Sequence, residues 1–308
     1  WGSFLKQKRR GLWPLLYGTV LALFTAYVLL DTFVIPRRYA AVESTSSGTT
    51  TAVSSETAQT TPAAKTTVTA DSYDDGTVSI KITTYRVDNT SVYVADVTLS
   101  DPSALQTAFA QGTFGKNITQ TTSSIAQSAG AILAINGDYY SARSGYVIRN
   151  GVLYRSTSAG SSQEDLVIYA DGTFDIVTEG ETTAEALLAA GAQQVLSFGP
   201  GLVEDGQVAV TANEEVDQAM TNNPRTAIGM ISPLRYVLVV ADGRTTQSTG
   251  LSLYQLASFM QELGVQTGYN LDGGGSSTMV FNGTVINQPT TNGKTIAERK
   301  VSDIVCIG

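Results

Sequence analysis

Histidine is absent from this 308-residue chain, and cysteine occurs once, at Cys306. No Ser-His-Asp triad, HExxH zinc helix or imidazole base can be built without histidine. A lone cysteine makes neither an internal disulfide nor a CxxC zinc site. Charge is sparse as well, at 15% of residues, and its balance of −8 argues against nucleic acid as a partner. Any chemistry must therefore use carboxylates, arginines, hydroxyls, backbone amides or a metal held by oxygen ligands. What the chain does have is apolar content, 42%, enough to bury a real core in one large domain or two small ones.

Much of the early apolar content lies in one run. Lys6, Lys8, Arg9 and Arg10 precede residues 11–30, which carry no charge, and the apolar character continues past Asp31 to Ile35. About 20 such residues at 1.5 Å each cross a hydrocarbon core of about 30 Å. Residues 11–35 are therefore expected to be a transmembrane anchor in contact with the lipid bilayer, behind a basic tail of residues 1–10. Four positive charges before the span against Arg37 and Arg38 after it place the N-terminus in the cytoplasm and the rest outside. A cleaved signal peptide would have a shorter apolar stretch and a clearer small-residue cleavage site than Ala40-Ala41 offers. Residues 43–69 hold 15 Ser or Thr among 27 and no aromatic, too little apolar surface to offset ordering entropy. Residues 36–75 are accordingly expected to be a disordered tether.

From residue 76 to 308 the pattern changes to short alternating runs: 78–87, 91–99, 131–135, 146–154, 166–177, 226–231, 236–240, 277–286 and 303–307. Asn150-Gly151, Asp171-Gly172, Asp205-Gly206 and Asn282-Gly283 supply hairpin turns between them. Helical spacing is rarer. Asp101-Pro102 with Leu105 and Phe109 predicts a short capped helix, residues 182–190 a second, and residues 252–263, closed by Gly264, the clearest. The expected fold class is α+β, with mixed, largely antiparallel sheets and a few packed helices, preceded by the one transmembrane helix.

Four polar segments stand out against this background. Asn136 and Asp138 follow an apolar strand and sit beside Tyr139 and Tyr140, where a sheet edge commonly carries a site. Asn222-Asn223-Pro224-Arg225-Thr226 puts an arginine, a planar fork of donors suited to phosphate or carboxylate, at the mouth of a strand. Asp242-Gly243-Arg244 offers a second such arginine. The fourth, Asp272 followed by Gly273, Gly274, Gly275, Ser276 and Ser277, reads most strongly, because successive glycines let backbone amides form an anion nest. It lacks the lysine and following helix of a nucleotide phosphate loop. Each segment alone also reads as an ordinary turn or a structural ion pair.

NGDYY, NPRTAIG, ADGRT and LDGGGSSTM, in that order and with SFGPGLVEDG at 197–206, resemble the phosphodiester glycosidase domain, a family with bacterial exopolysaccharide-associated members. The resemblance covers roughly residues 95–308. It implies cleavage between a sugar's anomeric carbon and a phosphodiester oxygen, leaving a phosphomonoester. Carried over by motif, it implies Asp272 and Asp138 as catalytic carboxylates. Asn136, Arg225, Asp242, Arg244 and the loop from Gly273 to Ser277 would be the substrate and phosphate ligands. The expected partner is a sugar-phosphate or cell-surface glycan outside the membrane. A non-catalytic polysaccharide-binding protein and a cell-wall phosphotransferase are the competing readings. No cofactor is required. Asp71, Asp74 and Asp75 before Gly76 hint at calcium, but the 12-residue ligand pattern is missing and a solvated acidic turn explains them.

Overall fold

The structure, a computed structural model, describes residues 2–41, 66–213 and 222–308. Most of the expected tether, residues 42–65, lies outside these. Helix α1 (Gly2–Phe33) contains the apolar stretch Trp13–Phe33, 21 residues of mean hydropathy 1.7, long and apolar enough to cross a membrane.

Among the described residues, three large antiparallel sheets form the folded part, with a two-stranded sheet beside them. The nine-stranded sheet runs Gln207–Val208, Gly201–Glu204, Thr267–Leu271, Arg225–Ser232, Arg235–Ala241, Thr90–Leu99, Val78–Val87, Ser72–Asp74, Thr67–Val68. A five-stranded sheet runs Thr284–Val285, Met279–Phe281, Leu133–Asn136, Asp303–Ile307, Leu105–Phe109. A second runs Val152–Arg155, Val147–Arg149, Ala192–Leu196, Glu164–Tyr169, Phe174–Thr178. The expected α+β class with antiparallel sheets is what the chain adopts.

Period-2 alternation sets the layers. In Arg235–Ala241, Tyr236, Leu238 and Val240 enter a core shared by all three sheets, while Val237, Val239 and Ala241 turn to the opposite face. That opposite face is covered by α4 (Leu253–Glu262) through Leu253, Leu256, Ala257 and Met260. Helix α4 begins with a capping box between Ser252 and Gln255, which satisfies amides the helix itself cannot. Helices α2 (Thr122–Ala129) and α3 (Ala184–Ala189) cover the outer faces of the two smaller sheets.

Two expectations give way. The helix predicted from Asp101 lasts one 3-10 turn, Pro102–Ala104, although Asp101 does cap it by accepting from the Ser103 amide at 2.8 Å. Leu105 and Phe109 suit a strand face as well as a helical one, and pairing of Leu105–Phe109 with Asp303–Ile307 decides it. The tether boundary also moves. Ser72–Asp74 and Thr67–Val68 join the large sheet, and Arg37–Arg38 pairs with Gly115–Lys116, because sheet edges supply partners that low apolar content alone does not foresee.

Candidate active site

The ends of two strands from different sheets are tied together by Asn136. Its Nδ2 donates to the Asp272 carbonyl at 2.6 Å, while its Oδ1 accepts from Thr226 Oγ1 at 2.8 Å and the Thr278 amide at 3.2 Å. The Asp272 amide in turn donates to the Gly137 carbonyl at 3.2 Å. The NGD and LDGGG segments therefore meet at one place. Asn136 is fully buried there, clamping the two loops rather than facing an opening.

Asp272 projects from that junction with 8% of its surface exposed. Arg299 Nη2 lies 3.1 Å from its Oδ2, and Arg299 Nε donates to Ser276 Oγ at 2.9 Å. Burial raises the Asp272 pKa, opposed by the Arg299 charge and the Ser276 hydroxyl. Arg143, whose guanidinium stands 4.2 Å over the Phe198 ring, also acts on Asp272 electrostatically. Arg244 extends the cationic wall. It donates to Asn223 Oδ1 at 3.0 Å and to the Thr291 carbonyl at 2.7 Å, and its charge is felt together with that of Arg299.

The glycine loop serves this arrangement by compactness more than as an open nest. The amides of Gly274, Ser276 and Ser277 donate to the carbonyls of Pro224, Gly273 and Gly274, and so are spent within the protein. A Cβ on Gly273 would meet the Pro224 carbonyl oxygen at 2.8 Å, so the loop packs against the NPRT segment only because position 273 has no side chain. Ser277 Oγ and Thr278 Oγ1 are buried without a hydrogen-bond partner.

Asp138 occupies a different environment. It is fully buried, with its carboxylate 2.8 Å from Arg149 and accepting from the amides of Ser197 at 2.8 Å and Tyr140 at 3.1 Å. Arg149 also pairs with Asp303 at 2.9 Å. Burial works against the charge of Asp138, yet Arg149 and the Ser197 amide outweigh it and hold the carboxyl below its usual range. At Asp303 burial and the neighbouring Asp138 charge prevail, pushing the pKa up to about 7. One guanidinium between two enclosed carboxylates neutralises only one of them.

Beside this triad, burial and the adjacent Glu179 push Asp165 up to about 9. Asp165 is thus protonated in the fold at neutral pH and ionised in the unfolded chain above about 3.8. The stability this proton confers is full below the unfolded pKa and is lost as pH rises through about 9. Asp165→Asn removes that dependence. Relative to wild type, its Tm is expected to rise by about 8 °C or more between pH 5 and pH 8, because about 1.4 kcal/mol per pH unit amounts to roughly 4 kcal/mol over that interval. Calorimetry at the two pH values checks it. An unchanged difference would mean that Asp165 is ionised in the fold.

The remaining expected ligands sit around the junction. Asp242 accepts from Asn287 Nδ2 at 3.1 Å and the Gln288 amide at 2.9 Å, while Asn287 also bonds Ser277 and Met279, so Asp242 braces the strand after the glycine loop. Arg225 is buried, with its Nε on the Leu251 carbonyl at 2.9 Å. Tyr140 stacks on Phe114, and its hydroxyl accepts from the Gly115 amide. Asp74 and Asp75 accept from amides of their own turn, and among the described residues no group of three or more His, Cys, Asp or Glu side chains could hold a metal ion.

Arg299, Arg143, Arg149 and Asp303 escaped sequence reasoning. Asp303 could have been suspected as a carboxylate opening an apolar strand. Nothing local marks Arg299, which lies among Glu298 and Lys300 like a solvated charge.

Residues 129–308 match the family described as phosphodiester glycosidase. The chain is 30% identical over 207 residues to N-acetylglucosamine-1-phosphodiester alpha-N-acetylglucosaminidase of Mus musculus, covering 61% of this chain and 39% of that protein. It is also 30% identical over 199 residues to the SPbeta prophage-derived uncharacterized protein YomE of Bacillus subtilis (strain 168), covering 63% of this chain and 30% of that one. The chain thus spans about a third of the length of these relatives. The zebrafish N-acetylglucosamine-1-phosphodiester alpha-N-acetylglucosaminidase catalytic domain, auto-inhibited by its pro-peptide, shares the fold. Its TM-score is 0.59 at 23% identity, over 75% of this chain and 82% of that one.

Proposed function

The chain belongs to the phosphodiester glycosidase family, and from that premise we propose a membrane-anchored, extracytoplasmic hydrolase of sugar 1-phosphodiesters on cell-surface or exopolysaccharide glycans. The observation that carries the reading is the single-carboxylate, multi-arginine setting of Asp272 with Arg299, Arg143 and Arg244. Glycoside cleavage develops positive charge on the sugar, which a nearby carboxylate stabilises. The departing phosphate takes the electron pair of the C–O bond. Its second pKa is about 6, so it needs cationic neutralisation more than a proton. Water supplies the new oxygen on the anomeric carbon and releases its proton to solvent.

In this proposal Asp272 faces the anomeric carbon, and Arg299, Arg143 and Arg244 neutralise the phosphate. Asp138 takes a positioning role instead of the partner-carboxylate role expected for it, since it is enclosed by Arg149 and two amides. Asn136, Asp242 and Arg225 hold the loops. The anchor reading rests on the length and apolarity of Trp13–Phe33 and on the basic cluster before it.

The test is release of sugar and phosphomonoester in equal amounts from an alpha-linked N-acetylglucosamine phosphodiester. Gly273→Ala adds a sharper check. The Cβ must displace the Pro224 carbonyl, moving Asp272, so kcat/KM is expected to fall at least about tenfold with the far-UV spectrum unchanged. Full activity in that variant would mean that loop position does not control the reaction.

A further inference from the structure

Helix α1 does not end free of the domain. Asn117 Nδ2 donates to the carbonyls of Thr32 at 3.3 Å and Ile35 at 3.0 Å, satisfying acceptors that a helix end leaves open. Arg37–Arg38 then adds as a strand to Gly115–Lys116, so closely that a Cβ on Gly115 would overlap the Arg37 carbonyl. Tyr39 packs on Phe114, ring centroids 5.9 Å apart. The domain is seated on the exit of the apolar helix.

Between the helix end and the domain lies a cavity of about 680 Å³, walled by Thr32 and Phe33 on one side and by residues 114–117, Thr119, residues 139–144 and Arg155 on the other. If 21 residues span about 30 Å of hydrocarbon, Thr32 and Phe33 stand at headgroup level, and so does the cavity. Its lining pairs aromatic rings (Phe33, Tyr39, Phe114, Tyr139) with cations (Lys116, Arg143, Arg155), the composition of a membrane interface that meets anionic groups. On its wall, Arg155 is fixed to the domain by Nε and Nη1, which donate to the Gly145 and Tyr140 carbonyls. Arg143 lines the cavity and also acts electrostatically on Asp272, so the cavity and the candidate active site share a residue.

We propose that this cavity receives the phosphate and the apolar alcohol portion of a lipid-linked substrate, so that the sugar 1-phosphodiester is drawn from the membrane itself. The proposal rests on the anchor and glycosidase readings above and adds the substrate class. The sugar would lie over Asp272, the phosphate between Arg143 and Arg299, and the lipid chain would run past Phe33 into the bilayer. An amphiphile already confined to the membrane then meets the site at high effective concentration.

The full chain, reconstituted in phosphatidylcholine vesicles, is given alpha-N-acetylglucosamine 1-(hexadecyl phosphate) and the soluble 1-(methyl phosphate). Wild type is expected to favour the hexadecyl ester at least tenfold in kcat/KM. Phe33→Ser, which places a hydroxyl on the path of the lipid chain, is expected to lower turnover of the hexadecyl ester about tenfold and of the methyl ester less than twofold. Tyr39→Ala, which removes an apolar wall without changing charge, is expected to act in the same sense. Equal rates on the two esters, or variants that affect both alike, would overturn the proposal. If wild type cleaves neither, the catalytic reading fails, and the cavity is judged separately with a diazirine-bearing hexadecyl phosphate. Labelling at 113–119 and 139–155 that is lost in Phe33→Ser supports the cavity. Labelling confined to the helix, or unchanged in the variant, refutes it.

Discussion

Asp272→Asn is expected to reduce kcat at least about 10³-fold while the chain remains folded, a loss of roughly 4 kcal/mol of transition-state stabilisation. Asparagine matches the carboxylate in size and keeps a donor and an acceptor for Arg299 and Ser276, so the loop should hold its shape. What disappears is the negative charge opposite the developing positive charge on the sugar. Burial has already made that charge costly to keep, and the surrounding arginines hold it in place for use. Binding of the intact phosphodiester should change little or improve, because a like-charged group is removed. Assay of turnover and equilibrium binding on the same preparation separates the two effects. Retained turnover would remove Asp272 from the reaction, and binding without turnover in wild type would favour a polysaccharide-binding protein.

The second large effect concerns folding. Arg149→Met leaves Asp138 and Asp303 buried without their counter-charge, and also removes a donor to the Ile148 carbonyl. Breaking one partner out of a buried charged cluster typically costs about 3–5 kcal/mol. A loss of that size should lower Tm by about 10 °C or prevent folding at neutral pH. Adding Asp138→Asn and Asp303→Asn to Arg149→Met is expected to recover much of the loss, because the uncompensated charges go with their carriers. Denaturant unfolding of the single and triple variants gives the comparison. A triple variant no more stable than the single one would show that Arg149 acts through packing rather than charge.

How far the sequence could be read follows from the range of each interaction. Arg235–Ala241 and α4 were legible because their apolar periods are local and the capping box of α4 lies within four residues. The hairpins were legible for the same reason, Asn150 and Asn282 both adopting the positive φ their turns require. Leu105–Phe109 was not, since its strand state depends on Asp303–Ile307, almost two hundred residues away. In the site, the motif around Asp272 was visible because three glycines in succession are rare outside close approaches. The roles around it were less so. Asn136 and Asp138 look alike as polar residues after a strand, and only tertiary packing makes one a clamp and the other half of a buried ion pair. Arg299 belongs to Asp272 across 27 residues of chain, with no pattern to announce it.

Hydrolysis in oxygen-18 water, with the phosphomonoester product examined by phosphorus NMR, tests the central claim most directly. Cleavage at the anomeric carbon, assisted by Asp272, places the solvent oxygen on the sugar and leaves the phosphate unlabelled. Oxygen-18 in the phosphomonoester would mean attack at phosphorus, and the protein would then be a phosphodiesterase rather than a glycosidase.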